Sequence, residues 1–288
     1  MTRVVYVNGR YVPYADAAIH AEDRGFQFAD AVYEVCEVRG GRLVDEARHI
    51  TRLWRSLGEI GIEHPMSAGA LGLVMRQTIR RNRVSNGLVY LQVTRGEARR
   101  DFLFPDPAVT PPTLVCLARR LDPDKIAARA SAGIGVKTMP DNRWGRCDLK
   151  TVMLLPACLA KDAARQEGAA EAWFVDGKGL VTEGAASNAW IIDSKGMLIT
   201  RPANNGILAG VTRAAVMDAI KVLDISLEER GFTVAEAHGA VEAFITSASG
   251  TVMPVVTIDG RPIGNGKPGP RTLQLRDKFH QFAQLSNN

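Results

Sequence analysis

The sequence predicts an α+β protein of two domains. Three observations carry that reading. Tight-turn dipeptides sit between short apolar runs, which marks β-hairpins. Apolar residues then recur at helical spacing between residues 45 and 60. A proline-interrupted shift in composition at 120–125 separates two halves of different pattern. At 288 residues the chain is long enough for two domains of ordinary size. The expected division is a small α+β domain over 1–119, a linker over 120–125 and a larger domain over 126–288.

The elements follow in order. Val4 to Val7 and Arg10 to Val12 flank Asn8-Gly9, and Val32 to Val38 and Arg42 to Val44 flank Gly40-Gly41, so both pairs read as hairpins. Ala47, Ile50, Leu53, Trp54, Leu57 and Ile60 form one face of a helix. Ser67 is placed to cap a second helix that reaches about Arg81. Leu88 to Arg95 and Thr113 to Arg119 read as strands on either side of a proline-rich loop. In the second half, strands are expected at Ile134 to Met139, Glu171 to Asp176, Leu180 to Thr182, Ala189 to Ile192, Met197 to Thr200, Glu242 to Thr246 and Val255 to Ile258. Helices are expected from Leu154 to Gln166, from Thr212 to Val222 and at the C-terminus, with Ser286-Asn287-Asn288 frayed.

Composition narrows the function. The chain is 46% hydrophobic and 23% charged, the balance of a globular protein. It has no apolar run of the roughly 18 residues that cross a bilayer and no signal-peptide core, so no membrane is expected and the cytoplasm is the expected compartment. Cys36, Cys116, Cys147 and Cys158 are scattered without metal-site spacing, which predicts reduced thiols and no metal. The net charge of +5 and the cluster Arg76, Arg80, Arg81 and Arg83 come without a recognition motif, so nucleic acid is not an expected partner. A mildly basic surface instead suits anionic small molecules.

One stretch carries reactive potential. Lys150 lies among Leu149, Val152, Met153, Leu154 and Leu155. An apolar wall disfavours the charged ammonium and would leave an amine able to form a Schiff base; a lysine stem lying along apolar surface is the plain alternative. Downstream, Val181-Thr182-Glu183-Gly184-Ala185-Ala186-Ser187-Asn188 ends a strand at a carboxylate followed by small residues. Gly210, Val211 and Thr212 open a helix whose unpaired N–H groups and dipole favour an anion, or whose threonine is an ordinary cap. By periodicity Arg52 lies opposite the Ile50–Leu53–Leu57 stripe, as a solvated arginine would.

Taken with Glu22-Asp23-Arg24-Gly25-Phe26-Gln27-Phe28, Asp30-Ala31-Val32-Tyr33-Glu34-Val35, His49-Ile50-Thr51-Arg52-Leu53 and Val93-Thr94-Arg95-Gly96, these segments resemble the fold-type IV pyridoxal-phosphate aminotransferases. The similarity is strongest to the D-amino acid (D-alanine) aminotransferases and runs from about residue 6 to about residue 265. The resemblance implies a C-terminal domain that is α/β-barrel-like and a homodimer. It implies pyridoxal 5'-phosphate bound by Lys150 as Schiff-base lysine and proton carrier, and by Glu183 facing the pyridine nitrogen. Arg52, Val211, Thr212 and the Ser247-Ala248-Ser249 turn would meet the phosphate, and Leu208 would lie under the ring. Alanine at 248, where relatives often carry a hydroxyl, leaves only its backbone for contact. Tyr33 would face the cofactor and substrate, with Arg143 and Trp144 orienting the site. The substrates implied are D-amino acids and a 2-oxo acid, 2-oxoglutarate or pyruvate. Arg100 falls at the position that grips the substrate carboxylate, but Phe102 stands where D-specific relatives carry a histidine. Branched-chain L-aminotransferase, aminodeoxychorismate lyase and a basic binding module without catalysis remain the alternatives.

Overall fold

The computed structural model describes residues 3–286, and the chain divides into two compact units. The first takes the chain to Asp122, adds Leu149–Met153, and includes the residues from Gln284 on. Its elements are β1 (Val4–Val7), β2 (Arg10–Pro13), α1 (Arg24–Phe28), β3 (Ala31–Arg39), β4 (Arg42–Leu43), α2 (Glu46–Glu59), α3 (Ala68–Asn82), β5 (Gly87–Thr94) and β6 (Thr113–Arg120). The strands form one sheet in the order β2-β1-β6-β5-β3-β4, and every neighbouring pair is antiparallel. The hairpin after β3 turns on Gly40 and Gly41, whose φ of 57° and 77° is the left-handed pair a two-residue turn needs.

β3 organises this unit. Its residues alternate, with Val32, Glu34, Cys36 and Val38 buried and Tyr33, Val35 and Glu37 half-buried on the other face. The buried face meets Ile50, Leu53 and Leu57 of α2, with Leu71, Met75 and Ile79 of α3 in the same core. Burying each such side chain is worth about 1.5–3 kcal/mol. β4 pairs only with Val38 and Arg39 of β3, which leaves the start of that edge to another partner. Leu149–Met153 takes it: Tyr33 N–H donates to the Lys150 carbonyl at 2.9 Å, Val152 N–H to the Ala31 carbonyl at 3.2 Å, and Val32 bridges to Thr151.

The second unit contains α4 (Pro123–Ala132), β7 (Ile134–Pro140), α5 (Leu155–Gln166), β8 (Glu171–Val175), β9 (Leu180–Gly184), β10 (Asn188–Ile192), β11 (Leu198–Thr200), α6 (Val211–Val222), β12 (Leu227–Glu229), β13 (Phe232–Thr233), α7 (Val234–His238), β14 (Glu242–Ser247), β15 (Thr251–Ile258), β16 (Arg261–Pro262) and α8 (Pro270–Phe282). The sheet order is β12-β11-β10-β14-β15-β7-β8-β9-β13, with β16 on β15. It is mixed: β11–β12, β15–β7 and β7–β8 are parallel and the other neighbours antiparallel. The sheet has to curl. β9 and β10 are five ladder steps apart, about 24 Å if flat. The chain from Gly184 to Asn188 reaches only about 14 Å when fully extended. The curled sheet is the barrel-like feature expected of this half.

Several boundaries differ from the sequence reading. β6 runs through Arg120 and Pro123 opens α4, so only Leu121 and Asp122 stand between helix and strand. Proline, read as a breaker, here takes the first helical position, where its missing N–H costs nothing. The Lys150 segment, expected with 126–288, belongs to the first unit because its hydrogen bonds run to β3. β15 begins at Thr251 rather than Val255, since Pro254 pairs only with Phe244 before β7 joins at Val255. Ser286, expected to fray, is tied to Leu43 through both its N–H and its hydroxyl; Asn287 and Asn288 lie outside the described residues.

Candidate functional site

The residues singled out above fall into two groups, one in each unit. In the first, β3 places Tyr33 and Glu34 on opposite faces of the sheet. Lys150 is held by its carbonyl on Tyr33 N–H, and its Nζ lies 4.3 Å from the Tyr33 ring centroid. The lysine is half-buried; of the apolar neighbours expected around it, Leu149 is 4% exposed, while Met153 and Leu155 are 46% and 69% exposed. The contact its amine makes is aromatic. Tyr33 stacks on Tyr90 at 5.6 Å, and the Tyr90 hydroxyl donates to Gln92 at 2.6 Å. Burial, with Tyr33 adding, pushes the Tyr90 hydroxyl up to about 12, so it stays a donor near neutrality. Tyr90 escaped the sequence reading, although the alternation of β5 puts it and Gln92 on one face.

Arg52 is not solvated. Its side chain is 10% exposed and pairs bidentately with Glu34, Nε to Oε1 and a terminal nitrogen to Oε2, both at 2.7 Å. His49 Nδ1 lies 2.7 Å from the same Oε2. Burial pushes the Glu34 carboxyl up, yet the Arg52 charge and the hydrogen bonds from Arg52 and His49 outweigh it and hold it at about 2. Burial alone would lower the Arg52 pKa, but Glu34 raises it overall. Three residues apart on α2, His49 and Arg52 reach one buried acid. Their motif could have flagged the histidine; the acid on β3 had no local signal.

In the second unit Glu183 is 5% exposed, inside β9 rather than on a surface strand end. Oε1 accepts from Arg143 at 2.6 Å, and Oε2 from Asn188 Nδ2 at 3.0 Å and Leu208 N–H at 3.1 Å. This donor set suits a carboxylate anion. Arg143 is anchored from behind by Asp141, with Nε to Oδ1 at 2.9 Å and a terminal nitrogen to Oδ2 at 2.8 Å, and lies 4.5 Å from the Phe174 ring centroid. Burial pushes the Asp141 carboxyl up, but Arg143 and the Thr182 hydroxyl bring it below its ordinary value. Arg143 is thus part of the cluster, whereas Trp144 is 37% exposed and contributes its carbonyl to Cys147.

Asn188 joins this cluster to α6. Its Nδ2 also donates to the Leu208 carbonyl at 2.9 Å, which fixes Leu208 beside Glu183. A Cβ on Gly210 would stand 2.1 Å from Asn188 Oδ1, so only glycine allows this approach. Gly210, not Thr212, is the N-cap residue, and no side chain caps the helix. The first N–H groups, at Val211 and Thr212, are the anion-binding kind. Thr246 pairs with Asn188 across β10 and β14, so Ser247 and Ala248 follow at the same end of the sheet. The Ser247 hydroxyl receives Gly250 N–H at 3.2 Å. The second unit therefore gathers Glu183, Leu208, Val211, Thr212, Ser247 and Ala248.

Arg100 has different company. It is exposed, 4.8 Å from the Phe28 ring centroid, and Phe102 packs edge-on against the same ring at 5.8 Å. No helix among the described residues is long and apolar enough to cross a membrane.

Comparison with known proteins places the chain in a family. The family described as amino-transferase class IV matches residues 31–258. The chain is 38% identical over 284 residues to the D-alanine aminotransferase of Staphylococcus haemolyticus, covering 99% of each. It is 37% identical over 272 residues to that of Bacillus licheniformis, covering 94% of each. Among solved structures, the branched-chain amino acid aminotransferase of Escherichia coli superposes with a TM-score of 0.88 at 22% identity, covering 98% of this chain and 94% of that one. A second branched-chain amino acid aminotransferase, solved with pyridoxamine 5'-phosphate, has the same TM-score of 0.88 at 23% identity, again covering 98% of this chain and 94% of that one.

Proposed function

The chain belongs to the class IV aminotransferases, pyridoxal-phosphate-dependent enzymes of fold type IV, and from that premise we propose that it transfers the amino group of D-amino acids, D-alanine among them, to a 2-oxo acid. The residues present fit the cofactor. A half-buried amine lies on Tyr33, a carboxylate with three donors lies on β9, and an uncapped helix start stands close to it. The cofactor when bound supplies an aldehyde for amino groups and a pyridine ring that takes up electrons released at the substrate.

The residues then act as follows. Lys150 Nζ would tether the cofactor and, once the incoming substrate amine has taken its place, the freed amine would take the proton from the substrate Cα as general base. Tyr33, stacked on Tyr90, fixes where that amine stands. Glu183, backed by Arg143 and Asn188, would keep the pyridine nitrogen protonated. Val211, Thr212 and the backbone of Ser247 and Ala248 would hold the phosphate, and Leu208 would give the ring an apolar surface. Arg52, oriented by Glu34 and His49, supplies the cationic contact to the phosphate. Arg100 grips the substrate carboxylate, and Phe102 makes that side of the pocket more apolar. The exposed side chains Phe26, Phe102, Leu103 and Phe104 of the first unit, 66–86% exposed, suit coverage by a second copy in a homodimer. Four free cysteines suit a reducing cytoplasm.

The observation that carries the reaction is Lys150 on the edge of β3, with its amine on the Tyr33 ring. Handedness rests on the full-length identity to enzymes named D-alanine aminotransferase. A paired panel of D- and L-amino acids with 2-oxoglutarate tests it, following the cofactor absorbance. D-alanine should turn over fastest, with some leakage to L-substrates because Phe102 replaces a hydrogen-bond donor. Faster use of L-leucine or L-valine would make the enzyme a branched-chain aminotransferase instead. Pyruvate release without an amino acceptor would make it a lyase.

A further inference from the structure

Two motifs remain that the reaction does not use, Asp23-Arg24-Gly25 and Thr94-Arg95-Gly96, and the structure interlocks them. Asp23 Oδ1 caps α1 on Gly25 N–H at 2.8 Å, and its Oδ2 accepts from the Thr94 hydroxyl at 2.9 Å. Arg24 N–H donates to the Gly96 carbonyl at 2.9 Å, and Asp23 bridges to Glu97. A Cβ on Gly25 would lie 2.4 Å from Thr94 Cγ2, so the contact is a close one. Asp30 Oδ2 then accepts from both arginines, from Arg24 Nε at 2.8 Å and from Arg95 Nε at 2.7 Å.

What these arginines do with their other nitrogens is the informative part. The Arg24 side chain is 3% exposed, and one terminal nitrogen donates to the carbonyls of Asp101, at 2.7 Å, and Leu103, at 3.3 Å. Its guanidinium is 4.6 Å from the Phe28 ring, the ring that also carries Arg100 at 4.8 Å. Arg95 reaches back to the carbonyls of Ile60 and Gly61, both at 2.7 Å, and lies 3.8 Å from the Phe104 ring. Within one chain little else packs on this loop: Phe102, Leu103 and Phe104 are 86%, 77% and 66% exposed, and a cavity of about 130 Å³ opens between Ile62, Arg95, Phe104, Pro105 and Pro112. Arg100 is thus bracketed, by the pairing at Gly96 and Glu97 before it and by the Arg24 grip at Asp101 and Leu103 after it.

We propose that Arg24 is a positioning residue for substrate recognition: through Asp30 and the Asp101 and Leu103 carbonyls it holds the 97–105 loop so that Arg100 meets the substrate carboxylate. The proposal rests on the reading of Arg100 given above. A lysine carries its donors on one nitrogen and cannot reproduce a guanidinium that meets Asp30 from Nε and two carbonyls from a separate terminal nitrogen. In the holoenzyme, Arg24→Lys should raise KM for D-alanine about tenfold, the loss of one charge-assisted hydrogen bond, with kcat held within about twofold. Trypsin, which cuts after Arg99 and Arg100, should cleave the folded variant faster at those bonds, as read by mass spectrometry. Once Arg100 is replaced by alanine, adding Arg24→Lys should raise KM no further, because residues acting as one unit are not additive. Phe28→Leu, which removes the shared ring and leaves the Asp30 pairs intact, should move KM and cleavage in the same direction by a smaller factor should Arg24→Lys fail to fold. Unchanged KM and cleavage in a folded variant, or effects that multiply in the double variant, would overturn the proposal. Unchanged KM in Arg100→Ala alone overturns the carboxylate reading and the substrate role of Arg24 with it, while the cleavage rate separately shows whether Arg24 holds the loop.

Discussion

Glu34 and Glu183 invite comparison. Both are strand carboxylates, 1% and 5% exposed, and both meet an arginine, yet the two regions balance their charge differently. On β3 one acid faces one arginine through two parallel bonds, with His49 beside it, so Glu34 and Arg52 cancel. On β9 one arginine serves two acids: Asp141 takes it bidentately and Glu183 takes a single nitrogen, and neutral amides hold the second oxygen of Glu183. Counting Asp141, Arg143 and Glu183, the second region keeps one negative charge. A buried surplus anion is costly unless a cation arrives, and a protonated pyridine nitrogen is such a cation. On the proposed reading, the first region fixes an arginine and the second receives the positive charge of the cofactor.

The largest expected effect separates chemistry from both charge clusters. Lys150→Ala removes the only group assigned to carry the Cα proton, and kcat should fall by about 10⁴-fold, the upper range for such a group. Its backbone bonds to β3 are untouched, so circular dichroism and the thermal midpoint should stay near wild type. Transamination at a near-normal rate would take Lys150 out of the mechanism.

Next comes the neutral pair. Glu34→Gln leaves Arg52 buried opposite a neutral amide, and should cost about 3–5 kcal/mol of stability, measured by denaturant unfolding. The wild-type pair also has a pH signature. The folded Glu34 sits at about 2, below the ordinary value of 4.5, so its stabilisation is full above about 4.5 and is lost as pH falls toward 2. The shift corresponds to about 3 kcal/mol. Glu34→Gln should lose that part of the acid slope; equal slopes in the two proteins would mean that the pair is not what acid titrates.

The surplus anion gives a smaller change in stability but a clear kinetic one. Glu183→Gln should cost about 1–3 kcal/mol, less than Glu34→Gln: the single amide oxygen loses the acceptor on one side, but Arg143 keeps its pair with Asp141. The variant should retain cofactor, yet slow the half-reaction with D-alanine by roughly 10²-fold, because a neutral amide does not hold the ring nitrogen protonated. A half-reaction of unaltered speed would reduce Glu183 to a structural partner of Arg143 and dissolve the contrast with Glu34.

The sequence by itself determined the elements whose hydrogen bonds are local. The Asn8-Gly9 and Gly40-Gly41 turns, the α2 stripe, the Ser67 cap and the α6 start were legible because turn chemistry and the 3.6-residue period act within a few residues. It also singled out Lys150, Glu183 and the Gly210 to Thr212 entry, whose local settings are unusual. Tertiary structure alone decided the partners. Leu149–Met153 joins β3 because the two residues of β4 leave that edge unpaired, a fact about a strand over a hundred positions away. Arg52 is drawn from solvent by an acid 18 positions earlier, and Arg143 finds Glu183 40 positions on. The bracket of Arg24 on Asp101 and Leu103 spans 77 and 79 positions. Such pairings are chosen by which face of a folded strand a side chain occupies and by the cost of leaving a buried charge alone, and neither is written in any local stretch of residues.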